Sequence, residues 1–560
     1  MTRVGHVAVT AAGRRRAETL AEHGCGEVLT GAAADALRDG WRSYDALVCH
    51  LSVGAVTRLV APLLAGKDAD PAVVCVDEAG RYVVPVLGGH AAGANSLARR
   101  VAEQIGAQPV VTTATDSSGL PGLDDLGWPY VGDVAGVTRA MLDGEPVRFE
   151  SEHTWPLPAL PPHVHGEVAE TGSGAAVVVS DRAGEGAPGT VVLRPPSLVL
   201  GIGASRDAPA AEVRDLVTKA LADAGLAERS VAAVATVDLK ADEPALLLLA
   251  EHLGVPVRTF AASELAGQPV PNPSEVVAGE VGTPSVAEAA VLASGAALVA
   301  EKVKSAHATV AVGRVAPRGQ LRIVGLGPGA RDLLTPRARE AIQRSSVVVG
   351  LDQYVEQVRD LLRPGTRVLA SGLGAEEERA QTALEEARAG RAVALVCSGD
   401  AGLYAMASPT LELGAADVDV EVVPGVTAAL AASALLGAPL GHDHALLSLS
   451  DLHTPWPAIE RRLQAAADAD LVVALYNPRS RQRTWQLPKA LGILGARRPP
   501  ETPVAVVHDA SRADEQVVVG TLADIDPDVV TMRSVVVVGA STTRVVDGHV
   551  VTPRGYAWLG

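Results

Sequence analysis

The hydrophobic residues of the first 130 positions form short runs rich in Val, Ala and Leu, separated by longer stretches with helical spacing. Runs at 46–48, 72–76 and 109–112 predict strands, because short apolar runs of this kind are typical of buried strands. Strands that alternate with helices predict a parallel sheet. The first part of the chain is therefore predicted to be an α/β domain.

The same alternation returns in the second and third parts of the chain. Region 131–196 has no clear pattern and contains a Pro-rich stretch at 156–162 and a Gly- and Pro-rich stretch at 181–197. The segment 313–320 has the composition of a linker. The fold class predicted is α/β with several domains: 1–130, a middle region and linker at 131–196, 197–315, and 321–560 with subdomains of about 321–437 and 438–560.

The composition excludes one class of partner. The formal net charge is -17 and aromatic residues make up only 3%. Such an acidic surface repels phosphate backbones, and few aromatic side chains are available for base stacking. We therefore expect no nucleic-acid partner, and an anionic substrate would need a local cluster of arginines.

Cysteine usage and hydropathy bear on the compartment. The four cysteines form no CxxC pair, which argues against a structural zinc site, and we predict no metal. Few cysteines in a long chain fit a reducing compartment, and the N-terminus enters a strand-like run without a signal peptide. The longest uncharged stretch, 422–441, contains Pro and Gly, which predicts a buried loop and helix and no membrane span. We expect a cytoplasmic protein.

A Gly-rich loop follows the predicted strand 322–326. Its order is G-x-G-P-G, with Gly327, Pro328 and Gly329, which differs from the GxGxxG pattern of dinucleotide sites. Thr335 is suited to cap a following helix whose first residue is Pro336. By itself the loop fits a tight turn and a ligand-binding turn equally well.

Three more predicted strands end in turns with potential ligand groups. The turns are Ser398 to Leu403, Pro424 to Ala429, and Tyr476 to Pro478. We expect these turns and the G-x-G-P-G loop to meet at the C-terminal edge of one sheet, where open α/β folds bind ligands. The Asp, Thr and Asn side chains there suit a nucleoside.

At these positions the chain resembles a known family. The motifs GLGPG, LTPRA, VVVG, CSGDAGLYAMA, VVPGVTAALAASALLGAPL and LYNPRS are similar to those of the tetrapyrrole methylases, over 321–560. The segments LSLSDLHTPWPAIERRL, LYNPRSRQRTWQL and PVAVVHDASR resemble the precorrin-3B C-17-methyltransferases within it. The resemblance implies two α/β subdomains, with S-adenosylmethionine in the cleft between them and a tetrapyrrole substrate.

The resemblance also implies site residues. Residues expected at the cofactor are Gly399, Asp400, Gly402, Leu403, Thr427, Ala428, Tyr476 and Asn477. The loop of Gly327, Pro328 and Gly329 is expected to face the tetrapyrrole. The C-17 enzymes also contract the ring, which requires loss of a hydroxyl proton, and Asp451 is the acceptor we predict.

Arginines cluster after the Tyr-Asn turn. Arg479, Arg481 and Arg483 lie in one short loop, and Arg512 and Arg544 follow at other strand ends. Because guanidinium groups bind carboxylates in a bidentate way, we predict that the first three hold the substrate. The alternative is an ordinary solvated run of charge.

The N-terminal half contains a possible acid and base. His90 follows two glycines after a predicted strand, and Asp116 lies in the turn after the next one. A His at such a turn is as often structural. The segments DPAVVCVDEAGRYVVPVLGGHAAGANSLA and PVVTTATD resemble the N-terminal domain of cobalt-precorrin-5A hydrolases, and LVLGIGASRDAPAAEV and ATVDLKADEPALLLLAEHLG resemble their C-terminal domain.

That second resemblance implies opening of a lactone on the corrin ring, with release of a two-carbon fragment. The site residues it implies are Gly89, His90, Asn95, Thr113 and Asp116 in the first domain, and Ser205, Lys240, Glu243 and Glu288 in the second, where Lys302 and Lys304 end a strand.

Three interpretations of the whole chain follow. The first is a bifunctional methyltransferase and hydrolase. The second keeps the methyltransferase but makes the N-terminal half a non-catalytic tetrapyrrole-binding module. The third, a corrinoid-binding regulator, is disfavoured because the cofactor motifs are intact. The sequence leaves open whether cobalt is in the substrate, and family methylases imply a homodimer through the methylase part.

Overall fold

A computed structural model describes residues 3–556, apart from 67–68, 90–91, 114, 116–117 and 167–173. The chain divides into two compact units. The first contains residues 1–153 and 160–317, and the second contains 154–159 and 318–560. Among the described residues, no helix combines the length and the apolar character needed to span a membrane.

The first unit begins with a six-stranded sheet in the order β2-β1-β3-β4-β5-β6. Its strands are β1 (Val4–Ala8), β2 (Glu27–Val28), β3 (Ala46–His50), β4 (Ala72–Val76), β5 (Tyr82–Leu87) and β6 (Gln108–Pro109). Its helices are α1 (Ala11–Glu22), α2 (Ala33–Gly40), α3 (Val53–Val60) and α4 (Ala94–Ile105). Strands β1, β3 and β4 are buried throughout because helices cover both faces. The predicted strand at 109–112 contributes only the short β6.

The interval 131–196, which had no clear pattern, folds into a second sheet in the order β7-β11-β10-β8-β9. Its elements are β7 (Tyr130–Gly132), α5 (Val134–Leu142), β8 (Val147–Ser151), β9 (Val164–His165), β10 (Ala176–Val179) and β11 (Thr190–Leu193). The strands are short and separated by Pro- and Gly-rich connections, which explains why periodicity did not reveal them.

A third sheet completes the first unit in the order β14-β13-β12-β16-β15. Its strands are β12 (Leu198–Ala204), β13 (Val231–Val237), β14 (Val257–Phe260), β15 (Ala297–Lys304) and β16 (Ala308–Arg314). Its helices are α6 (Ala210–Asp223), α7 (Pro244–Leu253), α8 (Ala262–Ala266), α9 (Glu275–Val281) and α10 (Ala287–Ala293). Strands β12, β13 and β14 are parallel, whereas β16 is antiparallel to both of its neighbours.

The second unit starts with an all-parallel sheet in the order β19-β18-β20-β17-β21. Its strands are β17 (Gln320–Gly325), β18 (Val347–Leu351), β19 (Arg367–Ser371), β20 (Ala392–Cys397) and β21 (Asp419–Val423). Its helices are α11 (Pro336–Gln343), α12 (Asp352–Val358), α13 (Glu376–Arg388) and α14 (Ala407–Glu412). The predicted cap of α11 is confirmed, because the Thr335 hydroxyl accepts a hydrogen bond from the Ala338 N–H and the helix begins at Pro336.

The chain ends in a fifth sheet in the order β23-β24-β27-β25-β26, beside a small sheet β22-β29-β28. The elements are α15 (Ala428–Leu436), β22 (Gly437–Ala438), β23 (His444–Ser448), α16 (Trp456–Asp468), β24 (Val472–Tyr476), α17 (Gln486–Gly495), β25 (Pro503–His508), β26 (Gln516–Thr521), β27 (Ser534–Val538), β28 (Arg544–Val546) and β29 (His549–Val551). Helix α15 packs on this sheet through Ala429, Ala432 and Leu436. The loop and helix predicted in 422–441 are present, but the prediction that they are buried is only partly right, because Leu430 and Leu435 on α15 are exposed.

Candidate functional site

Three turns meet at the C-terminal edge of the parallel sheet in the second unit. They follow β20, β17 and β21, which are neighbours in the sheet. Gly327 and Gly399 exchange two backbone hydrogen bonds, with N–H to O=C distances of 3.0 and 2.8 Å. A Cβ on Gly425 would lie 2.2 Å from the Gly399 carbonyl oxygen, so the turns pack backbone against backbone. The predicted convergence is confirmed for these three turns.

The Asp400 carboxylate joins two of the turns. One oxygen accepts a hydrogen bond from the Gly402 N–H at 2.9 Å, and the other accepts from the Gly425 N–H at 3.0 Å. Leu403, in the same turn, is half-buried. Asp400 therefore fixes the shape of the turn that follows β20 and its distance from the turn that follows β21.

The side chain of Tyr476 lies at the start of α15. Tyr476 is the last residue of β24 in the fifth sheet, whereas the three turns belong to the parallel sheet. Its hydroxyl accepts a hydrogen bond from the Ala429 N–H at 2.9 Å and lies 2.5 Å from the Thr427 hydroxyl. It thus occupies the capping position of α15, beside Ala428. Burial raises the pKa of Tyr476, so the phenol is neutral at pH 7.

The prediction that all these turns lie on one sheet is wrong for the Tyr476 turn. Strand β24 belongs to the fifth sheet, and its end reaches Thr427 because α15 packs on that sheet. Asn477 follows in a left-handed conformation, with φ of 48°, and its side-chain amide donates to the Ser448 hydroxyl at 3.1 Å. The fifth sheet therefore supplies one wall of the site.

Arg512, in the connection between β25 and β26 of the fifth sheet, contacts the Gly-rich loop. Its Nε donates to the Pro328 carbonyl at 2.8 Å. A Cβ on Gly329 would lie 2.5 Å from the Arg512 Cγ, so a larger residue at 329 would displace this arginine. Of the two additional arginines singled out in the sequence, Arg512 lies at the site, and Arg544 is exposed on β28.

The three clustered arginines have different environments. Arg479 bonds to the Pro527 carbonyl at 2.8 Å and to Asp528 at 2.5 Å. Arg483 donates to the Asn477 carbonyl at 3.0 Å and to the Ser450 hydroxyl at 3.2 Å. Arg481 is exposed, and in the described part of the chain its guanidinium has no ion-pair partner. Arg481 is thus the member of the cluster with its hydrogen-bond donors free.

Asp451 is exposed but held in place. Its carboxylate accepts a hydrogen bond at 3.0 Å from the side chain of Gln486, which is buried. His453 is exposed. The role of Gln486 was not visible in the sequence, because a single Gln at the start of a helix carries no motif and the contact spans 35 residues.

The loops after β23, β24 and β25 share one edge of the fifth sheet, because these strands run parallel to one another. Besides the arginines, they carry two large apolar residues in solvent, Leu452 at 74% and Trp485 at 48% exposure. Tyr404 is also exposed, and its ring lies 5.4 Å from that of Tyr476. These loops and Tyr404 therefore present both apolar and cationic groups, of which the sequence analysis identified only the cationic ones.

In the N-terminal half, His90 and Asp116 lie outside the described residues. The structure brings the neighbouring candidates together. The buried side chain of Asn95 donates to the Thr113 hydroxyl at 3.4 Å, and the Asn95 N–H donates to the Gly89 carbonyl at 2.8 Å. These three residues lie at one end of the first sheet.

The candidates on the third sheet separate into two groups. Ser205, Lys240 and Glu243 follow the C-terminal ends of β12 and β13, and the Lys240 ammonium lies 3.4 Å from the Glu243 carboxylate. Lys304 is exposed at the end of β15.

Glu288 is fully buried on α10, and its hydrogen-bond partners do not include Ser205, Lys240 or Glu243. Its carboxylate accepts hydrogen bonds from Asn272, Ser285 and the backbone N–H of Lys302. The Lys302 ammonium bonds to the Asn272 carbonyl. Because both carboxylate oxygens of Glu288 accept hydrogen bonds from the protein, this residue ties segment 272–285, which contains α9, to the sheet.

Comparisons with known proteins match three stretches of the chain to family models. The model described as Tetrapyrrole (Corrin/Porphyrin) Methylases matches residues 320–526. The model described as Cobalamin synthesis G C-terminus matches 198–313, and the one described as Cobalamin synthesis G N-terminal matches 35–116.

Individual relatives cover the C-terminal part. A protein of Salmonella typhimurium named probable cobalt-factor III C(17)-methyltransferase is 47% identical over 42% of this chain and 99% of its own length. A Sinorhizobium protein named precorrin-3B C(17)-methyltransferase is 42% identical over 43% of this chain and 98% of its own length. A solved structure of the methyltransferase CobJ is 38% identical, covers 42% of this chain and 100% of that chain, and has a TM-score of 0.41.

Proposed function

Because the chain belongs to the tetrapyrrole methylase family through its C-terminal part, we propose that it methylates C-17 of precorrin-3B, or of the cobalt form, with ring contraction. The N-terminal half, matched by both cobalamin synthesis G models, opens the lactone of cobalt-precorrin-5A in this proposal. The observation that supports the methyltransferase most directly is the interlocked set of turns, with Asp400 and Tyr476 holding them together.

The residues present fit S-adenosylmethionine. A Cβ on Gly399 would stand in the gap between its turn and the start of α15, 3.8 Å from the Thr427 Cα, and glycine leaves this gap open. When bound, the cofactor supplies an electrophilic methyl group on its sulfonium. Gly399, Asp400, Gly402 and Leu403 would hold it on one side, with Thr427, Ala428, Tyr476 and Asn477 on the other. The chain's own task is alignment, since positioning accounts for most of the rate gain in such transfers.

The same site suits a flat ring with many carboxylates. Leu452, Trp485 and Tyr404 offer apolar surface, and the Gly327 to Gly329 loop, held by Arg512, offers a close backbone approach. Asp451, oriented by Gln486, is the group we assign to accept the hydroxyl proton during ring contraction. Arg479 and Arg483 shape the loop from which Arg481 reaches substrate carboxylates.

Loss of the Asp400 carboxylate should weaken the cofactor more than the tetrapyrrole. Asp400→Ala leaves the N–H groups of Gly402 and Gly425 without their acceptor, and an unsatisfied group of this kind costs about 1–3 kcal/mol. We expect the dissociation constant for S-adenosylmethionine, measured by calorimetry on the full chain, to rise at least about fivefold. Asp400→Asn, which keeps one acceptor oxygen, should show a smaller rise. Equal losses for both ligands would show that Asp400 shapes the whole cleft.

Among the three clustered arginines, Arg481 should contribute most to substrate affinity. Arg481→Ala should raise the tetrapyrrole KM up to about fivefold, the effect of an exposed pair worth about 1 kcal/mol. The increase should shrink at high salt, because exposed charges are screened over about 10 Å at 0.1 M. Arg462→Ala, an exposed arginine on α16, serves as the control. A KM unaffected by Arg481→Ala would favour the solvated-charge interpretation.

Both activities can be tested on the full chain. Labelled S-adenosylmethionine with precorrin-3B, or separately with its cobalt form, should give a singly methylated product by mass analysis. Cobalt-precorrin-5A should lose its two-carbon fragment, and the acid–base assignment of His90 and Asp116 predicts that His90→Ala stops this loss without affecting methyl transfer. If the wild-type chain never releases the fragment, the N-terminal half is a binding module.

The methylase part is also proposed to form a homodimer. Helix α15 carries no charged residue, yet Leu430 on it is 54% exposed, and a helix that is apolar all round is normally covered. Sedimentation equilibrium showing only a monomer at micromolar concentration would contradict this.

All four cysteines are buried and unpaired, which supports the proposal of a cytoplasmic, reducing environment.

A further inference from the structure

One edge of the third sheet brings together polar residues from three neighbouring strands. Strands β12 and β13 end there, with Ser205 and Lys240 in the turns that follow. Strand β16 starts there, because its Ala308 pairs with Ala204 at the end of β12. His307, one residue before β16, therefore lies at the same edge as Ser205 and Lys240. This is the edge at which parallel strands of open α/β sheets bind ligands.

His307 is held by a carboxylate. Its Nδ1 lies 2.8 Å from one oxygen of Glu212, and its backbone N–H donates to the other oxygen at 2.8 Å. Glu212 comes from the first turn of α6. Hydrogen bonds from the Ser305 hydroxyl and from the side chain and backbone of His307 lower the pKa of Glu212 to about 2. The carboxylate is therefore ionised at neutral pH.

This contact fixes the tautomer of the imidazole. An ionised carboxylate only accepts hydrogen bonds, so the proton of the neutral ring must be on Nδ1 and the lone pair on Nε2. The side chain of His307 is 52% exposed, which leaves the ring accessible to solvent. Its backbone is also anchored, because the Ser205 N–H and hydroxyl both donate to the His307 carbonyl, at 2.8 and 3.2 Å.

A base held by an orienting carboxylate is the arrangement that hydrolytic sites use to activate water. The neighbouring turn adds the Lys240 ammonium, which is mostly buried and lies 3.4 Å from the Glu243 carboxylate. The buried Glu243 beside it has one oxygen, Oε1, with no hydrogen-bond partner in the described part of the chain. The edge thus combines an oriented base, a cation and an unsatisfied acceptor.

We propose that His307 is the general base of lactone opening and that Glu212 is its positioning residue. The proposal rests on the hydrolase function proposed for the N-terminal half. Nε2 of His307 takes a proton from a water molecule as the water oxygen bonds to the lactone carbonyl carbon. The ring C–O bond then breaks, and the proton passes from Nε2 to the departing alkoxide oxygen, which leaves a carboxylic acid and a hydroxyl.

The test uses the full chain with cobalt-precorrin-5A and follows lactone opening and methyl transfer in parallel. His307→Gly should lower kcat for lactone opening by about 10²–10⁴-fold, the usual contribution of a general base. Added imidazole should restore part of the rate, because the ring it replaces is half exposed. Glu212→Gln should lower kcat at least tenfold with little change in KM. Methyl transfer should be unchanged in both variants.

The third sheet offers a matched control. His252 lies 3.9 Å from Glu228 and is similarly exposed, but this pair lies at the opposite edge, before the starts of β14 and β13. His252→Asn should leave lactone opening unchanged. His90→Ala tests the other base candidate in the same assay: if it stops lactone opening while His307→Gly does not, the base is His90 and the proposal for His307 is overturned.

The possible failures are distinguishable. If the wild-type chain does not open the lactone, the hydrolase function itself fails. If the wild-type chain is active and His307→Gly is equally active, or if the loss in a folded His307→Gly variant is not relieved by imidazole, the assignment of His307 as the base is overturned.

Discussion

Replacing Gly425 by alanine is expected to lower the kcat/KM of methyl transfer strongly. The added Cβ would lie 2.2 Å from the Gly399 carbonyl oxygen and 2.7 Å from that of Gly325. Both are backbone atoms of neighbouring turns, so a flexible side chain cannot relieve the clash, and overpacking of this kind costs about 1–3 kcal/mol or more. Since Gly399 lies in the turn proposed to hold the cofactor and Gly325 precedes the loop proposed to face the tetrapyrrole, we expect kcat/KM to fall at least a hundredfold.

The measurement is methyl transfer together with S-adenosylmethionine binding by calorimetry. Gly372→Ala is the matched control, because this glycine follows β19 at the same edge of the sheet and a Cβ there would meet nothing within 4 Å. The control should retain full activity. A Gly425→Ala chain that binds the cofactor normally would mean that the three turns can separate without loss of the site.

The first domain should lose stability steeply as the pH falls below about 6.5. His6 and His50 are both buried, with His6 Nδ1 and His50 Nε2 3.3 Å apart. Burial, together with the neighbouring His6 and Arg16, lowers the pKa of His50 to about 3. Burial also lowers the pKa of His6, and the bond to the Cys25 carbonyl opposes this.

The sign follows from proton uptake. Unfolded histidine has a pKa of about 6.5, so below that pH the unfolded chain binds protons that the folded His50 does not accept until about pH 3. The free energy of unfolding should therefore fall as pH decreases across this window, by about 1.4 kcal/mol per pH unit for each histidine kept neutral. The contribution of the neutral histidines to stability is fully present above the unfolded pKa of about 6.5 and is lost as the pH falls towards their folded pKa values.

Hydrogen exchange of peptides covering β1 and β3 at several pH values, corrected for intrinsic exchange rates, reports this local stability. The slope with pH should be smaller in His50→Leu than in the wild-type chain, whatever its stability at pH 7. His23→Ala, an exposed histidine after α1, should keep the wild-type slope. Identical slopes in His50→Leu and wild type would show that the buried pair is not the source.

Local sequence was sufficient for features whose cause is local. Thr335 and Pro336 define the start of α11 because a cap and a fixed φ act within one turn. The glycines of 325–329 indicated a turn at the end of β17, although they did not distinguish a tight turn from a ligand-binding turn. The alternation of apolar runs and helices was enough to establish the α/β class, since each strand of a covered parallel sheet must be apolar on both faces.

Contacts between distant segments were decided by the tertiary structure. Tyr476 reaches Thr427 from another sheet only because α15 packs on the fifth sheet, and Glu212 reaches His307 across 95 residues. Likewise, Arg479 and Arg483 turned out to be engaged by the protein, which the spacing of charges could not show. A sequence determines which groups a segment can offer, whereas their partners depend on packing between elements, where loop closure and burial select among many possible neighbours.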